Sequence, residues 1–388
     1  MGDQKMYTTT FWLLCLSYAF FGGSFNMIIP ELPAYLTSMG GEDYKGLIIA
    51  LFTLTAGLSR PFSGRLTDTI GRRPVMYFGM IVCIICSLLY PILTTVSTFL
   101  FLRLLHGLST GFSPTAITVY LADTVPIHRR GEAMGIVGVS INLGSSVTPP
   151  IGSYIASNFG INAMFLASSV VGLLAFLCLI KMKETLASPV RFHPKLLLLK
   201  KDAIIAKEGI LPALVGGLTY MGFGAVITIT PDQCDFLGIS NRGLYFTTFT
   251  LCSVMSRLVA GKASDVWGRL IVMRVAVISL AVSFVIFGYA DSAFGLLFGA
   301  GCIGFSLGIC IPAVFAWTAD LSPEDIRGKV FGTLFIGLEL AIGFGALLGA
   351  YIYDNNPANF KHVFIVIAAI CLLAYLFIRK RPTYYDAS

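Results

Sequence analysis

The chain has 388 residues, 56% of them hydrophobic and 12% charged, with a net charge of +7. A soluble domain carries roughly 25% charged residues. Here the apolar residues fall in runs longer than about 18 without strand-like alternation, which points to an integral membrane protein and favours helices over a barrel. The positive charge is spread over loop ends and is not gathered in one patch, so it fits anionic lipid and not nucleic acid.

In chain order the apolar runs predict twelve spans, at 9–38, 46–64, 74–93, 97–123, 132–157, 161–180, 210–235, 242–261, 271–290, 293–319, 329–353 and 361–378. The first run is long and no small-residue cleavage motif follows it, so it is expected to be a retained span. Among the connections, Lys45, Arg242 and Lys361 fall on one side; the other basic residues, including Lys5, Arg65, Arg72, Arg73, Arg129, Arg130, Lys181, Lys183 and Arg379, fall on the other. Cytoplasmic loops carry the excess of Lys and Arg, so both termini are expected in the cytoplasm. The one long connection, 181–209, contains Lys-Leu-Leu-Leu-Leu-Lys-Lys and reads as a basic segment lying on the inner leaflet. The expected organisation is a six-helix unit at 1–180, this linker at 181–209, and a second six-helix unit at 210–388. The nine cysteines sit mostly inside apolar runs; Cys83 and Cys86 have CxxC spacing but no second pair, and packing is their expected role.

The two units repeat with a constant offset of 197. Gly64, Asp68, Gly71 and Arg72 recur as Gly261, Asp265, Gly268 and Arg269. Gly107 and Gly111 recur as Gly304 and Gly308, and Asp123, Arg130 and Gly135 as Asp320, Arg327 and Gly332. One ungapped register of this length predicts two parallel bundles about an axis along the membrane normal, with a binding site between them.

At these residues the sequence resembles the major facilitator superfamily of secondary transporters. The family signature G-x-x-x-D-x-x-G-R-[KR] is complete as Gly64, Asp68, Gly71, Arg72 and Arg73, whereas the second copy has Leu270 in the last basic position. Arg103, Gly107 and Gly111 follow the family's R-x-x-x-G pattern, which is linked to proton coupling. Gly135, Gly144, Thr148, Pro149 and Gly152 follow its antiporter pattern, with Thr148 where a Gly is expected. The resemblance is to the twelve-helix, proton-coupled drug and metabolite efflux branch. It implies an all-α, multi-pass protein of the inner (plasma) membrane, usually monomeric, that moves a small molecule by alternating access. No cofactor is implied, no nucleotide-binding G-x-x-x-x-G-K-[ST] stretch occurs, and no constellation for catalysis or metal binding emerges, so an enzyme is not expected. Uptake symport of a sugar or organic anion, or lipid flipping, are the competing readings.

Candidate residues follow. Asp68, Arg72 and Asp123, with Asp265, Arg269 and Asp320 as their repeat, lie at span ends where carboxylate and guanidinium stabilise one another. The resemblance implies a gate in which Asp68 faces the start of the eleventh span; the plainer alternative is a charge cluster that only fixes orientation. Arg60 and Arg257 lie one turn deeper and are expected to support these clusters. Charges inside spans cost roughly 2.5–3.5 kcal/mol each, so they mark function. Glu31, between Pro30 and Pro33, is expected to pair with Arg103. Glu339 is the deepest acid, with Asn142 as its repeat partner, and is expected to carry or release a proton or to meet substrate; its alternative is a neutral acid bonded between helices. His106, one turn from Arg103, either titrates or packs. Asn26, Tyr120, Asn142, Tyr220 and Trp317 are candidate substrate contacts.

Overall fold

The computed structural model describes residues 7–126, 129–198, 205–323 and 326–378, without the side chains of Gly131 and of 258–266. Its long helices, numbered here as they cross the bundle, are α1 (Thr9–Ser38), α2 (Lys45–Thr69), α3 (Arg72–Leu89), α4 (Val96–Thr124), α5 (Arg130–Phe159) and α6 (Ile161–Leu179), then α7 (Lys207–Phe236), α8 (Leu244–Trp267), α9 (Arg269–Gly288), α10 (Ala293–Leu321), α11 (Arg327–Tyr353) and α12 (Phe360–Phe377). Among the described residues, by length and composition, nine of the twelve are apolar enough to cross a membrane; α4, α5 and α8 are the others. Those three carry hydroxyl, glycine and charged residues among their aliphatic ones, and α5 and α8 pack against each other across the two halves.

Several helices outrun the apolar stretches that announce them. The second span ends at Thr69, beyond 64, because Arg65 and Asp68 continue the helix into the polar zone. Gly71 and Gly268 end this turn in both copies at φ of 114° and 85°, a left-handed region open to glycine without strain.

The repeat predicted by the sequence is present in the packing. Within the first half α1 lies against α5 and α6, α2 against α4, and α3 against α4 and α6. Within the second, α7 lies against α11 and α12, α8 against α10, and α9 against α10 and α12. Each contact in one half is the other's shifted by six helices. Two glycine pairs allow the tightest of these crossings. A Cβ at Gly107 would come within 2.1 Å of the Phe52 carbonyl oxygen, and one at Gly304 within 2.0 Å of Phe249's. A Cβ at Gly111 or Gly308 would lie 1.8 or 2.0 Å from the hydroxyl of Ser59 or Ser256. All four neighbours obey the same 197-residue offset, so one close-packed crossing was built twice.

The halves meet along α2 against α11 and α5 against α8. Pro150 has no N–H to give the Ser146 carbonyl, and that oxygen instead accepts the Thr247 hydroxyl from the other half at 2.6 Å. The Pro150 carbonyl accepts the Asn241 amide at 3.0 Å. The residues joining α6 to α7 are fastened to the first half as far as they are described. Val190 N–H donates to the Thr69 carbonyl at 2.9 Å, Arg65 donates to Leu198, and a 3-10 turn covers Pro194–Leu197. Val190, Phe192 and Leu198 are exposed there.

Candidate functional site

On the face that carries the signature loops, here called the basic face, the halves stand apart. A cavity of about 390 Å³ opens there between α1, α2, α4 and α11, lined among others by Tyr18, Arg60, Thr118, Lys329 and Phe335. Gly135 and Gly332, repeat partners near the basic ends of α5 and α11, have no atom within 4 Å of where a Cβ would point. On the opposite face the halves touch: a Cβ at Gly46 would lie 2.9 Å from the Ala346 carbonyl, and one at Gly243 2.3 Å from Pro149.

At the inner end of the cavity, Arg60 Nη2 lies 2.7 Å from Glu339 Oε1, across the α2–α11 seam between the halves. The guanidinium also rests 4.8 Å above the Phe335 ring. The side chains are 17% and 15% exposed, so both charges are largely out of water and each depends on the other. Glu339, the deepest acid of the sequence, is thus ion-paired. The expectation for Arg60 is corrected: its guanidinium bonds Glu339 and not the clusters at the basic face. By the repeat, the other seam carries Arg257 opposite Asn142. Arg257 is exposed and Asn142 half-buried, so the acid of this pair exists in one copy only.

The expected pairing of Glu31 with Arg103 is not found. Pro30 and Pro33 tighten α1 into a 3-10 turn at Ile29–Glu31. The turn aims Glu31 at Ser153, whose hydroxyl donates at 2.6 Å, and at Arg242 of the second half. Arg103 is 1% exposed and turned into its own half. It donates to the Ile48 carbonyl at 2.9 Å, sits 4.6 Å above the Phe52 ring and 3.4 Å from the Tyr90 hydroxyl, and leaves Nη2 without a partner. His106 is enclosed beside it, with Nδ1 3.2 Å from the Tyr90 hydroxyl and Nε2 3.4 Å from Cys83 Sγ.

At the basic face Arg72 bonds Asp123 at 2.9 Å, and its repeat, Arg269, bonds Asp320 at 2.5 Å. Asp68 is 3.9 Å from Arg72 with its side chain 70% exposed, and it does not face α11, because the halves are apart at this end. The Asp265 side chain lies outside the described residues. A residue the sequence reading missed completes the loop. Glu184 accepts the backbone N–H of Arg72 and Arg73, the first turn of α3, at 3.0 and 2.9 Å, and those of Thr185 and Leu186 at 2.9 and 3.0 Å. Burial alone would push its carboxyl up, but these four donors hold it below the usual carboxylate range. Thr185 in turn donates to Asp123 at 2.7 Å.

The substrate candidates divide. Asn26 donates to the Gly22 carbonyl and to Ser145 at 2.8 and 2.9 Å, tying α1 to α5. Tyr220 is half-buried and stacks on Phe223 at 5.4 Å. Tyr120 and Trp317, which occupy the same place in the repeat, are 2% and 5% exposed inside the cores of their halves. They are packing residues in this state.

Comparison with known proteins follows the same lines. The family model described as Major Facilitator Superfamily matches residues 14–240 and 213–387. Multidrug resistance protein 2 of Bacillus subtilis (strain 168) is 32% identical over a match covering 45% of this chain and 43% of that protein. The multi-drug resistance efflux pump PmrA of Streptococcus pneumoniae (serotype 4, strain TIGR4) is 27% identical over 80% of each chain. Among solved structures, that of a D-xylose-proton symporter superposes with a TM-score of 0.79 at 16% identity, covering 96% of this chain and 97% of that one.

Proposed function

Since the chain belongs to the major facilitator superfamily and is a multi-pass transporter of small molecules, we propose that it is a proton-coupled antiporter that exports a small amphipathic organic compound by alternating access. The observation that carries this reading is the Arg60–Glu339 pair, an acid and its counter-charge held on opposite halves at the inner end of the cavity that opens on the basic face. A proton on Glu339 removes the attraction that ties α2 to α11 at this level, and Arg60 is then free of its partner. A substrate entering from the basic face brings an apolar body to Phe335 and Tyr18 and a polar or charged end to the ion pair. Proton and substrate thus compete for one acid, which is the elementary condition for exchange. Because Asn142 stands where the repeat would place a second such acid, one proton per cycle is the expected contribution of this level.

The charge bias puts the basic face in the cytoplasm, so the conformation is the one that loads from inside. Arg72–Asp123 and Arg269–Asp320 brace the ends of the two halves, and Asp68 is the acid available to meet the start of α11 when that end closes. The exposed apolar side chains at 190–198 face the lipid boundary. The drug-efflux relatives favour export, and the chain works as a monomer, as its family usually does.

The test is flux in reconstituted vesicles, with the fluorescent amphipathic cation ethidium as probe. An imposed proton gradient drives the dye against the proton flow in the parent, and Glu339→Gln abolishes the exchange. Dye and protons moving in the same direction would establish symport instead.

A further inference from the structure

Of the eight ion pairs among the described residues, three cross between the halves: Arg60–Glu339 and two on the face opposite the basic one. Those two have a relation that the single residues do not reveal. Lys45 Nζ at the start of α2 meets Asp232 Oδ2 near the end of α7 at 2.5 Å, and Arg242, just before α8, meets Glu31 of α1. Lys45 and Arg242 are the same position of the repeat, 197 residues apart. The acids lie one turn apart in the same outer stretch of the first helix of each half, Asp232 corresponding to Tyr35. Each half therefore offers an acid to the other's cation, and the internal twofold carries one pair onto the other.

Both pairs are withdrawn from water. Side-chain exposures are 10% and 12% for Lys45 and Asp232, and 22% and 9% for Arg242 and Glu31. Each is also held from behind. Asp235, on the same half as Arg242, grips its guanidinium with two bonds of 2.6 and 2.9 Å, and Ser153, on the same half as Glu31, donates to that carboxylate. Lys45 stands 5.9 Å over the Tyr353 ring. Around them the seam on this face includes backbone against backbone at Gly46 and Gly243 and the Thr247 and Asn241 bonds, with a cleft of about 760 Å³ beside Lys45. Such contacts fit any closed pair of helices, whereas the two ionic contacts demand particular partners.

We propose that Lys45–Asp232 and Arg242–Glu31 form one two-point latch that keeps the cavity closed on the face opposite the basic one, and that both points part when that face opens. The proposal rests on the alternating-access reading above. It assigns Lys45, Asp232 and Arg242 a positioning role in the transport cycle, and gives Glu31 that role in place of a partnership with Arg103.

The experiment reads opening without reading transport. Thr53→Cys reports the α2–α11 seam, where Thr53 is 5% exposed beside Gly343, and Ser146→Cys reports the α5–α8 seam, where Ser146 is 4% exposed. A charged, membrane-impermeant maleimide is applied from the face opposite the basic one, with the full-length protein in vesicles of known orientation. Lys45→Met, Asp232→Asn, Glu31→Gln and Arg242→Met are each expected to raise labelling of the reporter cysteine about tenfold, because the remaining buried charge no longer favours the closed state. The exchanged pair Lys45→Asp with Asp232→Lys is expected to bring labelling back toward the parent. A variant that is merely misfolded also exposes Cys83, which is buried deep in the first half, and peptide mass spectrometry distinguishes the two sites. Parental labelling in all four neutralised variants, labelling that rises only together with that of Cys83, or a rise undiminished in the exchanged pair, would overturn the latch. Labelling as expected in a protein that moves no dye against protons would overturn the exchange reading and leave the latch standing.

Discussion

Replacing Glu339 by Gln keeps the shape of the side chain and removes its charge, which leaves Arg60 opposed only by a neutral amide. Breaking a fully buried ion pair by removing one partner costs about 3–5 kcal/mol, and an exposed one contributes at most about 1. With side chains 17% and 15% exposed, and a guanidinium whose Nε already lacks a partner above Phe335, the loss falls between these limits. It is expected near 2 kcal/mol, roughly a thirtyfold change in an equilibrium constant. Thermal unfolding in detergent measures it through a double-variant cycle. Glu339→Gln and Arg60→Gln each unfold at lower temperature than the parent, and the double variant regains most of the difference because no lone charge remains. Flux in vesicles separates stability from coupling: the double variant folds well and still exchanges no protons for dye. Additive stability losses in the cycle would refute the energetic account of the pair. Undiminished proton exchange by Glu339→Gln would refute the role assigned to its carboxyl.

Three further outcomes are expected. Gly111→Ala and Gly308→Ala each drive a methyl into Ser59 or Ser256 and lower stability by about 1–3 kcal/mol, with similar losses in the two copies and partial rescue by Ser59→Gly or Ser256→Gly, read by thermal unfolding. Glu184→Gln weakens the cap on the first turn of α3 by about 1 kcal/mol. Because the native carboxyl is held below its ordinary value of 4.5, the carboxylate's stabilisation is present above that value and lost as pH falls through the native one; the gap between parent and variant unfolding temperatures therefore closes in acid. Thr247→Val leaves the Ser146 carbonyl without its donor and costs about 1 kcal/mol, with labelling of Ser146→Cys as the more sensitive readout.

The spans and the repeat were legible because each follows from a local property. Apolar runs set the helices, and the 197-residue register announced that the two halves would repeat one another; the contacts that then repeat, Gly107 with Phe52 and Gly304 with Phe249, come from the structure. The partners across the seam were not legible. Arg242 and Asp232 look like loop-end charges in the sequence, and Arg60 looks like a supporter of the signature loop. All three are placed by how two bundles lean on each other, and no periodicity within one chain segment encodes that. The signal that was available is the repeat itself: Lys45 and Arg242 share a register position, as do Glu339 and Asn142, and comparing copies points to the first as a symmetric device and the second as a broken symmetry. Glu184 escaped because a lone acid among linker lysines carries no pattern; only the exposed N–H groups of α3 give it a task.

The binding of residues 184–198 to the first half has a geometric consequence. Leu198 is the last described residue of that stretch and Lys207 begins α7, so nine residue steps join a fixed point on one bundle to the first turn of the other. Covalent dimensions let nine steps reach at most about 31 Å. That leash bounds how far the first turn of α7 can travel from Leu198 as the halves move, whatever molecule is carried.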